Sequence, residues 1–176
     1  VNLARWQAPE FRDQNPFQIS DQELWQIHSG YREALITSVN KKTGAKLDPS
    51  ALTIVWARRF AAYKRPALLF GNPKRLAGLL TNRARPVQFI LSGHPNVADE
   101  EGVALLKEIL KYIEDPSFAG KAVWLPNYSL AQARQLVLGA DVWLNTPELG
   151  REASGTSGMK SMSNGGLQLS TRDGWV

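Results

Sequence analysis

From Ser20 onward the chain switches repeatedly between two hydrophobic periods. Leu24, Ile27, Tyr31, Leu35 and Val39 recur every three or four residues, a spacing that lines one face of a helix and predicts one reaching about Asn40. Ser20 and Glu23 supply the reciprocal pair that satisfies the first free amides of such a helix, and Gly44 stops it. Short apolar runs then follow at Leu52–Ala57, Val87–Leu91, Ala122–Leu125, Val142–Leu144 and Leu167–Ser170, and these predict buried strands. Between them lie helical stretches: roughly Lys64–Leu80, Asp99–Ile113 with acidic residues in its first turn, Ser129–Leu138 ending at Gly139, and Thr156–Ser163. Residues 1–20, interrupted by Pro9 and Pro16, read as an irregular lead-in.

Strands that alternate with helices imply βαβ units and a parallel sheet. The expected fold is therefore α/β, a Rossmann-like parallel sheet with flanking helices over residues 50–176. Residues 1–49 form the lead-in and a boundary helix. Ligands in such folds bind outside the carboxyl ends of the strands. That rule singles out Arg58-Arg59, Ser92-Gly93-His94, Asn127-Tyr128 and Asn145–Gly158.

Composition narrows the chemistry. The chain has no cysteine, which removes disulfides, thiolate metal sites and a cysteine nucleophile together and fits the cytoplasm. Its two histidines, His28 and His94, are too scattered for a metal site. No apolar run approaches the roughly 20 residues of a membrane span, and Val1–Phe17 lacks a signal-peptide pattern. The net charge of +5 is spread out, without the basic stripe and interleaved aromatics of a nucleic-acid binder. The start at Val1 and the stop just after Asp173-Gly174-Trp175 read as the ends of an excised piece, with its last domain incomplete at the C-terminus.

Two groups of residues carry candidate chemistry. Arg58, Arg59, Lys64 and Arg65 flank the end of the first strand, and Pro66 suits a helix start. Cations beside a helix N-terminus are repelled by its dipole, by about 0.3–1 kcal/mol each, which makes sense if an anion sits between them. Arginine forks and lysine ammoniums both suit phosphate oxygens. A set of four solvated charges is an equal reading of these residues alone.

The second group is Glu152-Ala-Ser-Gly-Thr-Ser-Gly-Met-Lys160. Small residues after the fourth strand let backbone amides converge at a helix start, an arrangement that binds phosphate. Lys160 follows within the first turns of that helix. The spacing excludes a Walker A loop, because Met159 separates Gly158 from Lys160. It also excludes Gly-x-Gly-x-x-Gly and the esterase Gly-x-Ser-x-Gly turn. By the residues alone, a glycine-rich helix cap followed by an exposed lysine stands beside the phosphate reading.

This stretch resembles the pyridoxal-phosphate signature of α-glucan phosphorylases: Glu-Ala-Ser-Gly, a variable residue, Gly or Ser, a variable residue, Met-Lys, two variable residues, Leu or Met, then Asn. Residues Glu152 to Asn164 supply it, with one departure, Ser163 in place of Leu or Met. Ala57–Arg65 resembles the family's basic phosphate-binding segment. Asn127-Tyr128, Gly139–Asn145 and Leu169–Trp175 are similar to segments of its shorter bacterial and archaeal members. A second departure is His94, where the family usually has a lysine.

The resemblance implies one half of a two-domain GT-B glycosyltransferase that cleaves a terminal α-1,4 bond of a glucan with inorganic phosphate and releases glucose 1-phosphate. It implies pyridoxal 5′-phosphate held covalently by Lys160, with Gly155, Thr156 and Ser157 on the cofactor phosphate and Tyr128 lining its pocket. Arg58, Arg59 and Lys64 would serve the two phosphates catalytically. Glu152 and the backbone of Ser154 and Gly155 would hold glucose hydroxyls. The implied parent is a cytoplasmic homodimer, without nucleic-acid, membrane or metal partners, and the isolated chain would be inactive. Two other readings remain open at this point: the donor half of a nucleotide-sugar glycosyltransferase resembling glycogen synthase, and a non-catalytic anion- or polysaccharide-binding module.

Overall fold

A computed structural model of the chain describes residues 19–96 and 98–176. The expected lead-in up to residue 18 lies outside them. The elements run α1 (Asp21–Thr43), β1 (Leu52–Ala57), α2 (Pro73–Leu80), β2 (Val87–Ser92), α3 (Glu100–Glu114), β3 (Ala122–Leu125), α4 (Leu130–Gly139), β4 (Val142–Asn145), α5 (Thr156–Met162) and β5 (Leu167–Ser170). All five expected strands are present, and β2 and β4 each run one residue further.

Helix α1 begins where the pattern places it. The Ser20 hydroxyl accepts from the Glu23 amide, and the Glu23 carboxylate accepts from the Ser20 amide at 2.8 Å. The helix continues three residues past Asn40, and Gly44 caps it. Only the second half of its apolar stripe is buried: Leu35, Ile36 and Val39 are covered, while Leu24, Ile27 and Tyr31 stay about half exposed.

The stretch expected to be one helix from Lys64 to Leu80 is broken. It consists of two 3₁₀ turns, Ala62–Lys64 and Pro66–Phe70, and then α2. The two prolines explain the breaks. A residue preceding proline is pushed out of the helical region, and Arg65 sits at φ 45°. Asn72, before Pro73, caps α2 through its side chain on the Arg75 amide. The cations here therefore oppose no α-helix dipole, because no α-helix starts at Lys64.

The strands form one parallel sheet in the order β3-β2-β1-β4-β5. Successive side chains point to opposite faces, and both faces are covered over β1 to β4, as a parallel sheet requires; β5, expected to be buried, is an edge strand whose Leu167 and Leu169 are more than half exposed. Val55, Ile90 and Trp143 pack with Leu35, Val39 and Leu136 of α1 and α4. Trp56, Phe89 and Leu91 pack with Leu76 of α2, Ile109 of α3 and Phe70. The chain builds outward from β1 to β3 and then returns to place β4 on the other side of β1. Connections leave β1 and β4 in opposite directions, and the crevice between their carboxyl ends is where such a sheet accepts ligands.

Helix α1 is tied to the sheet through a buried carboxylate. Asp141 Oδ1 lies 2.8 Å from His28 Nε2 and accepts from Arg32 Nη1 at 2.8 Å. Its Oδ2 accepts from the Thr53 amide at 2.7 Å. Arg32 Nε also donates to Pro49 O at 2.9 Å.

Candidate functional site

A cleft of 460 Å³ opens at the crevice between β1 and β4. Residues from three chain segments line it. Arg58 and Arg59 leave the end of β1, and Lys64 follows in the first 3₁₀ turn. Tyr128 comes from the loop after β3. Glu152, Ser154, Gly155, Thr156 and Ser157 form the turn into α5, and Lys160 lies on that helix. Every residue to which the resemblance gives a role therefore lines one cavity. Ala133, Val137 and Trp143 also line it, residues whose apolar character signals only core.

The basic residues divide by burial. Arg58 and Lys64 are almost completely buried. Arg58 Nη2 donates to Glu152 Oε2 at 2.9 Å, and Lys64 Nζ donates to the same oxygen at 2.8 Å. Lys64 Nζ also lies 4.7 Å from the centre of the Tyr63 ring. One carboxylate thus answers two buried cations, leaving an excess of positive charge in a region of low dielectric. Arg59 is exposed at the cleft rim.

Arg65, grouped with these by sequence, does different work. Its Nε donates to Thr146 O and its Nη2 to Pro147 O, both at 2.8 Å. The guanidinium fastens the end of β4 to the segment after β1, and it does not line the cleft.

Buried polar atoms around the cleft are left without protein partners: Arg58 Nε and Nη1, Trp143 Nε1 and Ser157 Oγ. Nearly all buried donors in folded proteins are paired. Three of these four are donors only and the fourth is a hydroxyl, so a ligand rich in acceptor oxygens matches the set. The turn adds to this. Gly155 starts α5 at φ 80° and no side chain caps the helix; the Gly158 amide donates to Gly155 O at 3.0 Å, while those of Thr156 and Ser157 have no intrahelical acceptor.

Lys160 is exposed and lines the cleft; its carbonyl accepts from Asn164 Nδ2 at 2.7 Å, while its side-chain amine has no hydrogen-bond or ion-pair partner among the described residues. Tyr128 is half-buried after Asn127, itself at φ 60°. Burial pushes the Tyr128 phenol up, while the nearby Arg58 charge pulls it down.

The two departures from the signature lie off the cleft. Ser163 is exposed and ends α5. His94 is exposed, 6.5 Å from Tyr128 between ring centres, and does not line the cavity. Its neighbour Gly93, by contrast, lies against the Arg58 carbonyl.

Sequence comparison bears directly on this geometry. The family described as "Carbohydrate phosphorylase" matches residues 9–175. The chain belongs to the carbohydrate phosphorylase family. It is 41% identical over 175 residues to a glycogen phosphorylase of Mycobacterium bovis, covering 90% of this chain and 20% of that protein. It is 38% identical over 174 residues to a glycogen phosphorylase of Aquifex aeolicus, covering 89% of this chain and 25% of the relative. A maltodextrin phosphorylase of Thermococcus litoralis is 38% identical over 169 residues, with 89% and 20% covered. The chain spans about a fifth to a quarter of the length of the curated relatives it matches. Family membership decides against the nucleotide-sugar alternative.

Proposed function

We propose that this chain is the pyridoxal-phosphate-bearing segment of an α-glucan phosphorylase, a glycosyltransferase that moves the terminal glucose of an α-1,4-glucan onto inorganic phosphate and releases glucose 1-phosphate. The observation that carries the reading is the set of unpartnered buried donors beside an unpaired lysine amine in one cleft. Phosphate oxygens match the donors, and an aldehyde carbon matches the amine.

In this reading Lys160 holds the cofactor covalently. The amides of Gly155, Thr156 and Ser157, the Ser157 hydroxyl and the free edge of Arg58 hold its phosphate, and Tyr128 lines its pocket. When bound, the cofactor supplies a phosphate group that exchanges a proton with substrate phosphate. Arg59, free at the rim, binds substrate phosphate together with Lys64. Two unit charges about 4 Å apart repel by roughly 4 kcal/mol at an effective dielectric constant near 20, so placing two phosphates together requires the cations gathered here. Glu152 and the backbone of Ser154 and Gly155 face glucose hydroxyls.

Turnover belongs to the longer polypeptide, because this chain spans only about a fifth to a quarter of the length of its relatives. The resemblance adds a cytoplasmic, homodimeric parent. Among the described residues no helix is long and apolar enough to cross a membrane.

Treating the chain with pyridoxal phosphate, reducing with borohydride and mapping peptides tests the assignment. The expected result is one dominant adduct at Lys160, lost in Lys160→Ala, with loss of the cofactor's absorbance band. Labelling spread over surface lysines would overturn it and favour a non-catalytic anion-binding module.

A further inference from the structure

The turn that carries Glu152 is gripped from behind by the residues that follow β5. Asp173 Oδ2 accepts from the Arg151 amide at 3.0 Å and from the Glu152 amide at 2.8 Å. Two residues on, the Trp175 amide donates to Ser154 O at 3.0 Å. Gly174 lies between them at φ 66°, and a Cβ there would come within 2.5 Å of Ser154 O. The two segments thus touch backbone to backbone. The gripping segment is itself anchored: the Thr171 amide donates to Asn145 O at 3.1 Å, and its hydroxyl donates to Pro147 O at 2.9 Å.

We infer that Asp173 is a positioning residue, which sets the orientation of the Glu152–Gly155 turn and through it the binding of the sugar. The inference rests on the phosphorylase reading above. Asp173 does not line the main cleft. It lines a small cavity behind it, together with Arg58, Asn145, Glu152 and Trp175. Its carboxylate accepts the very amide whose residue sends its own carboxylate forward onto Arg58 and Lys64. Without that acceptor, the peptide before Glu152 is free to rotate about the flanking bonds. A side chain swung by even an ångström loses the geometry that orients a substrate. Lys160 sits on α5, beyond the turn, so the covalent attachment point is not itself held by this grip.

The test uses the full-length polypeptide carrying this segment, assayed for phosphorolysis with glucan and inorganic phosphate varied separately and with rates expressed per bound cofactor. D173A is expected to raise the KM for glucan about tenfold while cofactor content stays that of the wild type. D173N, whose side-chain oxygen still accepts the two amides, is expected to recover most of the loss. A merely structural role would lower the yield of cofactor-bearing enzyme and its melting temperature, leaving the KM of the surviving enzyme unchanged. An unchanged glucan KM in D173A overturns the assignment. Should D173A prove insoluble, D173S, whose side chain is too short to reach both amides, decides in its place: a rise of about two- to fivefold in glucan KM supports the assignment, and no rise overturns it. A wild-type enzyme that carries no cofactor, or does not phosphorolyse glucan, would count against the reading of the site itself. Normal wild-type turnover with unaltered variants counts against Asp173 alone.

Discussion

Arg58 and Glu152 meet at 2.9 Å across 94 residues of sequence, and their contact ties the segment after β1 to the turn after β4 at the wall of the cleft. The pair sets the charge of the cleft: Glu152 answers Arg58 and Lys64 together, so one further anion is needed to balance the site.

Removing the carboxylate exposes that imbalance. Glu152→Ala leaves two almost fully buried cations unpaired and is expected to cost about 3 kcal/mol of stability. Inorganic phosphate should replace the missing charge, raising the melting temperature of the variant more than that of the wild type. Thermal denaturation in phosphate and in chloride of equal ionic strength measures the difference. An equal rise in both proteins would show that Arg58 and Lys64 do not bind the anion.

Gly93 holds the backbone at the end of β2 against β1. It sits at φ 139°, and a Cβ there would lie 1.9 Å from the Arg58 carbonyl oxygen. Gly93→Ala must therefore shift the backbone that carries Arg58. The expected loss is about 3 kcal/mol or more, combining overpacking with a conformation unsuited to alanine. Urea denaturation gives the value. A loss below about 1 kcal/mol would mean that the two strand ends separate easily.

Asp141 is the anchor of α1. In Asp141→Ala the Arg32 guanidinium and the Thr53 amide lose their buried acceptor, at a cost of about 3–5 kcal/mol. Protection of the α1 amides, followed by hydrogen exchange, should fall further than protection in β2. Equal losses across both elements would remove the special role given to this carboxylate.

Asp173 makes part of the stability pH-dependent. Hydrogen bonds from backbone amides, that of Glu152 foremost, hold its carboxyl below the usual carboxylate range. A group whose pKa is depressed on folding stabilises the fold above its unfolded value, about 3.9, and loses that contribution as pH falls through the folded value. The stability difference between wild type and Asp173→Asn should therefore be full at neutral pH and shrink below about pH 4. A difference that stays constant across this range would mean that the carboxylate charge contributes nothing.

Much of this architecture was legible in the residue pattern. Strands β1 to β4 are short apolar runs because a parallel sheet covered on both faces buries most side chains along them, whereas the edge strand β5 leaves Leu167 and Leu169 more than half exposed. The α1 start was legible because capping is local: Ser20 and Glu23 satisfy each other three residues apart. The signature Glu152–Asn164 was legible because a small-residue turn and a lysine at fixed spacing are themselves local. The Lys64–Leu80 stretch was misjudged although Arg65-Pro66 and Asn72-Pro73 stood in plain view. Apolar periodicity outweighed the backbone restriction that each proline imposes on the residue before it.

By itself, then, the sequence determined the alternation of elements, the strand set and the segment bearing Lys160. Each of these follows from steric and hydrogen-bonding rules acting over a few neighbours. Only the tertiary structure decided that Arg65 braces carbonyls while Arg58 and Lys64 share Glu152, that His28 and Arg32 converge on Asp141, and that Asp173 grips the turn behind the cleft. Apart from the Asp173 grip, these contacts join residues more than 80 positions apart. The sheet order brings such partners together, and burial then gives each pairing its strength, so no local spacing could have announced them.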